Sequence, residues 1–154
     1  MNKTNIRSST SSDLSAAKAI IDAVGLFPPE LLDGMFCASS EEPDQSEFWL
    51  TFDDGSPEAI AYCAPEPMAD GTWNLLLIAV HPNRQGEGIG AQIMSYVEEK
   101  LAAEGARVLL VETSGTDHFI KTRRFYSQLG YTEEARIREY YAAGDDKIVF
   151  HKYL

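Results

Sequence analysis

The stretch from Trp73 to Ala91 constrains this chain most. It reads Trp-Asn-Leu-Leu-Leu-Ile-Ala-Val, then His-Pro-Asn-Arg, then Gln-Gly-Glu-Gly-Ile-Gly-Ala. Leu75 to Val80 are apolar without a break, which predicts a strand buried on both faces. Pro82 has no N–H to give to a sheet, so the strand is expected to end near His81. Gly86, Gly88 and Gly90 follow, and Ile89, Ile93, Val97 and Leu101 then recur at helical spacing. Glu98, Glu99, Lys100 and Glu104 fall on the other side of that helix, and Gly105 is its stop. Where a buried strand turns into a helix, backbone N–H groups lack intrahelical partners and point outward. With the helix dipole behind them they bind anions, phosphate above all. Glycine is expected there because a Cβ would hold a phosphate away from the amides.

Three phosphate-loop patterns compete for this stretch. A nucleoside-triphosphate loop needs Gly-x-x-x-x-Gly-Lys-Ser/Thr, and the lysine is absent. A dinucleotide fingerprint, Gly-x-Gly-x-x-Ala, is met by Gly86, Gly88 and Ala91, with Glu112 downstream as its acid. That fingerprint wants its first glycine directly after the strand, and His81 to Gln85 intervene. The third pattern, Gln-x-x-Gly-x-Gly, is met by Gln85, Gly88 and Gly90, with Arg84 just before. A plain helix-start turn without a ligand is the structural alternative to all three.

The rest of the chain sets the context. Its 154 residues predict one domain, 1–154, with a real core. The net charge of -11 argues against nucleic-acid binding, which needs a basic surface. No apolar run reaches the ~20 residues of a membrane span, and Met1 to Asp13 lack the apolar segment of a secretory signal. Cys37 and Cys63 form no Cys-x-x-Cys pair and read as two free buried thiols in a reducing compartment, with a disulfide as the alternative, so a cytoplasmic protein is expected. His81, His118 and His151 show no metal-ligand spacing, so no metal is expected.

In order, Ile6 and Arg7 begin a strand, and Ser11, Ser12 or Asp13 caps a helix through Leu14, Ala17, Ile20, Ile21 and Val24. A short helix starts at Pro28-Pro29, and Glu41 to Glu47 form an acidic loop. Phe48 to Phe52 and Ala59 to Ala64 make a hairpin about Asp53-Asp54-Gly55-Ser56. After the organising strand and helix come a strand at Arg107 to Glu112 and a helix at His118 to Leu129. Two strands, Tyr131 to Glu139 and Lys147 to Tyr153, turn at Gly144-Asp145-Asp146. Strand, helix, strand implies a parallel pair, so the fold class is α/β: a mixed sheet with helices on its faces.

The loop at Gln85 to Gly90 resembles the pyrophosphate loop of the GCN5-related N-acetyltransferases, the GNAT family. Arg124-Phe125-Tyr126-Ser127-Gln128-Leu129-Gly130-Tyr131 resembles that family's Phe-Tyr-x-x-x-Gly-Phe/Tyr segment. The resemblance runs from about Ile6 to Leu154 and implies the GNAT fold, with a splayed parallel strand pair and flanking helices. It implies acetyl-CoA as donor and direct transfer, in a ternary complex, to a primary amine on a small molecule or a peptide. A non-catalytic acyl-CoA-binding domain on the same fold is the alternative, and a homodimer stays open.

By the same resemblance, backbone groups of Ile78, Ala79 and Val80 receive the pantetheine arm and acetyl carbonyl. Arg84, Gln85, Gly86, Gly88, Ile89, Gly90 and Ala91 hold the pyrophosphate. Tyr126 matches the general acid; a phenol, with a pKa of about 10, is protonated at neutral pH and can donate to a thiolate. Glu112, at the end of the second parallel strand, is the candidate base, with Glu66 behind it and a water chain as the other route. Phe119 stands where many members place an Asn that contacts pantetheine. Lys121, Arg123 or Arg124 either face the cofactor's phosphates or form solvated helix surface, and Tyr140 and Tyr141 either shape the acceptor pocket or fill the sheet.

Overall fold

The computed structural model describes residues 4–36 and 47–154. Most of the acidic loop and Cys37 therefore lie outside the described residues. The chain divides into two compact units, Met1–Ala64 with Leu77–Glu99, and Pro65–Leu76 with Lys100–Leu154.

In the first unit, β1 (Ile6–Ser8) pairs antiparallel with β2 (Phe48–Asp53), Ile6 opposite Phe52. Strand β2 pairs antiparallel with β3 (Pro57–Pro65), Leu50 opposite Ala61, as the hairpin pattern predicts. Helix α1 (Leu14–Val24) ends at Gly25, which takes the left-handed conformation at φ 75°. Asp13 stands at its N-cap, within the expected trio, and is also the last residue of a 3₁₀ turn at Ser11–Asp13. Thr10 caps that turn, its N–H donating to the Asp13 carboxylate at 2.8 Å. Pro29 opens a second 3₁₀ turn, which runs into the short α2 (Leu32–Met35).

The apolar stripe of α1 decides what it buries. Ala17, Ile20 and Ile21 join Leu32, Phe36, Trp49, Ile60, Leu77 and Ala79 in one core. Trp49 stacks on Tyr62 at 4.4 Å and meets Phe36 at 4.9 Å between ring centroids. Each large aliphatic side chain buried here contributes roughly 1.5–3 kcal/mol. Arg7 pins the edge of the unit, donating to Asp13 and to Asp53 at 2.8 and 2.9 Å.

Strand β4 (Thr72–Val80) contributes Leu77–Val80 to the first unit and its earlier residues to the second. In the second unit it runs parallel to β5 (Val108–Ser114), with Thr72 opposite Val108 and Leu75 opposite Val111. The parallel pairing is as expected, and α3 (Ile89–Ala103) is the crossover between the strands. Gly71 sets the start of β4. Its carbonyl accepts the Arg107 N–H at 2.7 Å, it holds φ 74°, and a Cβ there would lie 3.2 Å from Arg107 Cγ.

Helix α4 (Ile120–Gln128) follows a 3₁₀ turn at Asp117–Phe119, and Gly130 closes it at φ 90°. Strands β6 (Thr132–Ala142) and β7 (Asp145–Tyr153) form the last hairpin, with β7 antiparallel to β5 from Val108↔Tyr153 to Ser114↔Lys147. The turn between them is tighter than Gly144-Asp145-Asp146. Asp145 pairs with Ala142 across the hairpin, which puts Asp145 and Asp146 in β7. Their carboxylates are engaged as well: Ser114 donates to Asp145, and Arg136 and the Glu139 N–H donate to Asp146. The strand order of the mixed sheet is β1-β2-β3-β4-β5-β7-β6. Among the described residues no helix is long and apolar enough to cross a membrane.

Candidate active site

The glycine loop lies in the first unit, between Val80 and Ile89. Pro82–Arg84 form a 3₁₀ turn, in which His81 Nδ1 accepts the Asn83 N–H at 3.2 Å. Gln85 turns its side-chain amide back to the Val80 carbonyl at 3.0 Å, which ties the loop to the strand end. Gly86 and Gly88 hold φ 83° and 82°. The first bond inside α3 runs from the Gln92 N–H to the Gly88 carbonyl at 3.0 Å. The N–H groups of Ile89, Gly90 and Ala91 precede it and have no intrahelical acceptor. Behind them Ile89, Ile93, Met94 and Val97 are buried, which anchors the helix start. A Cβ on Gly86 or Gly88 would meet nothing within 4 Å, so what requires glycine is the left-handed backbone, and the space over the loop is open. Uncommitted amides at a helix N-terminus fit a phosphate.

Arg84 has a different setting from the one the pattern suggests. Its two terminal nitrogens donate to Asp54 at 3.2 and 2.6 Å, its Nε donates to Glu87 at 2.9 Å, and Glu58 lies 3.8 Å away. These hydrogen bonds, Asp54 first, raise the guanidinium above its ordinary pKa, and Arg84 in turn holds the Asp54 carboxyl below its own. Arg84 therefore ties the loop to the β2–β3 turn, and the bare amides are what the loop offers an anion. On β4, Ala79 is buried in the core, while Ile78 and Val80 are half-buried.

The second unit carries Tyr126 and Glu112. Tyr126 is 3 % exposed, with Phe125, Tyr131 and Phe150 around it at 5.2, 5.9 and 5.8 Å between ring centroids. Burial pushes its phenol well above the ordinary value, so it carries its proton throughout the physiological range. Arg123 donates to the Ser114 and Thr116 carbonyls, each at 2.8 Å, and so fixes the loop before α4; Lys121 and Arg124 are exposed.

Glu112 is one link in a chain of four side chains. Asn74 Nδ2 donates to Glu66 Oε1 at 2.9 Å and to Glu112 Oε1 at 3.1 Å. Glu112 Oε2 pairs with Lys147 Nζ at 2.9 Å. That ammonium also sits 4.2 Å from the centre of the Tyr140 ring. Burial lowers the pKa of Lys147, but the hydrogen bond and charge of Glu112 outweigh it and the net shift is upward. Burial, reinforced by the charge of Glu112, raises the Tyr141 phenol. Asn74 is 3 % exposed, and its Oδ1 is buried with no hydrogen-bond partner. Sequence reasoning singled out neither Asn74 nor Lys147. The signal for Asn74 is its polar amide beside the apolar run that begins at Leu75; Lys147 carries none, since an exposed lysine in a hairpin reads the same. Among the described residues no group of three or more His, Cys, Asp or Glu side chains is placed to hold a metal.

A mixed sheet with a parallel β4–β5 pair, followed by a helix whose first amides lie open behind a glycine turn, defines an acyl-CoA-type transferase fold. Residues 44–133 match the family model described as acetyltransferase (GNAT) domain, and the chain belongs to that family of acetylating enzymes. No curated protein matches it by sequence. Among solved structures it is similar to a GNAT-family protein of Desulfovibrio desulfuricans, at 28% identity and TM-score 0.83 over 98% of this chain and 99% of that one. The ribosomal-protein-S18-alanine N-acetyltransferase of Escherichia coli shares the fold, at 23% identity, TM-score 0.77, and 98% and 94% coverage. So does yncA of Salmonella typhimurium, solved with its cofactor acetyl-CoA, at 17% identity, TM-score 0.74, and 99% and 95% coverage.

Proposed function

We propose that residues 1–154 work as one N-acetyltransferase domain in the cytoplasm, moving the acetyl group of acetyl-CoA directly to a primary amine in a ternary complex. The observation that carries this is the glycine turn into α3, where Gly86 and Gly88 are left-handed and the amides of Ile89, Gly90 and Ala91 precede the first helical bond. Those amides would hold the pyrophosphate, with Gln85 and Arg84 fixing the loop rather than touching the ligand. Backbone groups of Ile78 and Ala79 would receive the pantetheine arm; the Val80 carbonyl is already bonded to Gln85. Bound acetyl-CoA supplies a thioester carbonyl and a thiolate leaving group. Tyr126 would give the departing sulfur a proton, which its buried, protonated phenol suits. The amine arrives as an ammonium ion and must lose a proton before its lone pair can attack. The carboxylate cluster around Glu112 would take that proton, directly or through water.

The test is thiol release from acetyl-CoA with spermidine, L-lysine, an aminoglycoside and a hexapeptide beginning with Ala, alongside calorimetry of acetyl-CoA binding. Binding in the micromolar range with turnover of at least one amine is expected. Binding with no turnover of any amine would make this a non-catalytic acyl-CoA-binding domain. Absence of binding would remove the loop assignment.

A further inference from the structure

The carboxylate cluster contains two acids with unequal commitments. Glu112 has both oxygens engaged: Oε1 accepts from Asn74 and Oε2 is paired with the Lys147 ammonium. Protonating Glu112 would break an ion pair whose side chains are only 12% and 25% exposed. Glu66 differs. Its Oε1 accepts from Asn74, and no cation pairs with it among the described residues. It is half-buried at the turn that leads from β3 into β4, and its own N–H donates to the Thr72 carbonyl at 2.8 Å, so its backbone is fixed. Asn74 connects the two acids through the only two hydrogens its amide has. In doing so it leaves Oδ1 buried and unpartnered, an arrangement that costs stability and that an apolar residue at this place would avoid.

We propose that Glu66 is the carboxylate that takes the proton from the acceptor ammonium, and that Asn74 is its positioning residue, anchored by the Glu112–Lys147 pair. The inference rests on the acetyl-transfer reading above. Charged and titratable groups around the pair include Glu112 on β5, Lys147 and Asp145 on β7, and Tyr140 and Tyr141 on β6. Glu66 takes one proton from the ammonium nitrogen, and the lone pair so freed forms the C–N bond to the acetyl carbon. The C–S bond breaks with its electrons on sulfur, which receives a proton from Tyr126. The nitrogen returns its surplus proton to the Tyr126 oxygen, and the proton on Glu66 leaves to water. Ammonium and thioester thus become amide, thiol and one released proton.

The experiment compares Glu66→Gln, Glu112→Gln and Asn74→Leu with the wild type. The acceptor is whichever of spermidine, L-lysine, aminoglycoside and Ala-hexapeptide releases most CoA. Profiles of kcat/KM against pH are recorded together with melting temperature and acetyl-CoA affinity by calorimetry. Glu66→Gln is close to isosteric and can still accept from Asn74, so folding and acetyl-CoA affinity should be unchanged. Its kcat/KM should fall about 10²-fold at neutral pH. Without a base on the protein only amine that is already neutral reacts, so its profile should climb up to the amine's own pKa. A less basic amine should then rescue the variant more than the wild type. Asn74→Leu should lower kcat and distort the same acid limb while the KM for acetyl-CoA stays put; if it does not fold, the two Gln variants decide alone. Glu112→Gln should keep the wild-type limb at a reduced rate. If the limb moves in Glu112→Gln and not in Glu66→Gln, the inference is overturned while acetyl transfer stands. If no amine turns over, the acetyl-transfer reading fails and this assignment with it.

Discussion

At the scale of single residues, two side chains carry the sharpest expectations, and both follow from burial. Tyr126 sits in an aromatic nest and keeps its proton, so Tyr126→Phe removes the donor without changing the packing. We expect kcat to fall by roughly 10²-fold, with acetyl-CoA affinity and melting temperature nearly unchanged. An unchanged kcat, with chemistry shown to be rate-limiting, would leave Tyr126 a packing residue. Arg7 tests stability instead. The Asp13 side chain is 5% exposed, and hydrogen bonds from Arg7, set against desolvation, hold its carboxyl below the usual range. A carboxyl depressed in the folded state stabilises above its unfolded pKa of about 3.9, and the contribution is lost as pH falls through the lower folded value. Losing the partner of a buried ion costs about 3–5 kcal/mol, but Arg7 is 40% exposed, so we expect about 1–2 kcal/mol for Arg7→Ala at pH 7. In denaturant melts the gap to wild type should narrow below about pH 4. A gap that stays constant down to pH 2 would mean that the residue acts through packing alone.

At the scale of elements, the glycine turn and α3 form one device: the helix holds the amides and the turn aims them. Gly88→Asp keeps a residue type that tolerates left-handed backbone and has open space for its Cβ, so the fold should survive. Its carboxylate would sit where the pyrophosphate is expected, and acetyl-CoA binding should fall below detection by calorimetry. Affinity within twofold of wild type would detach the cofactor from this loop. This device was legible in the sequence because local rules determine it: an unbroken apolar run, a proline stop, glycines, then a stripe at helical spacing. The β6–β7 turn was read too far along the chain, because the pairing of Ala142 with Asp145 closes it earlier. The Glu66–Asn74–Glu112–Lys147 chain was hidden for a stronger reason. Its members come from a turn and three strands, and only the β4–β5 and β5–β7 registers bring them together. Arg84 teaches the same lesson: its place beside the motif is local, but the Asp54 that engages it is 30 positions away.

At the scale of the whole molecule, the net charge of -11 would act on the two proposed substrates with opposite signs. Acetyl-CoA is an anion, and around its proposed loop Arg84 is already matched by Asp54, Glu58 and Glu87. Among the described residues Arg84 thus brings no surplus positive charge to it there, and the net negative charge would repel it as it approaches. The proposed acceptor ammonium would feel the reverse. The field would draw it in, and Glu66 and Glu112 outnumber Lys147 where its proton is proposed to leave. Exposed charges act over about 10 Å at 0.1 M salt and farther when salt is dilute, so ionic strength adjusts both effects together. Between roughly 0.02 and 0.2 M salt, kcat/KM for a cationic amine such as spermidine should fall several-fold. Over the same range kcat/KM for acetyl-CoA should hold or rise, because the repulsion is screened while hydrogen bonds from backbone amides are short-ranged and little affected. An amine that carries its own carboxylate should show a smaller dependence than spermidine. The opposite signs are what make the test specific. A general effect of salt on folding or on the chemical step would move both constants the same way. If both fall together, or neither moves, the acidity does not steer substrates and serves only to keep copies of the chain apart.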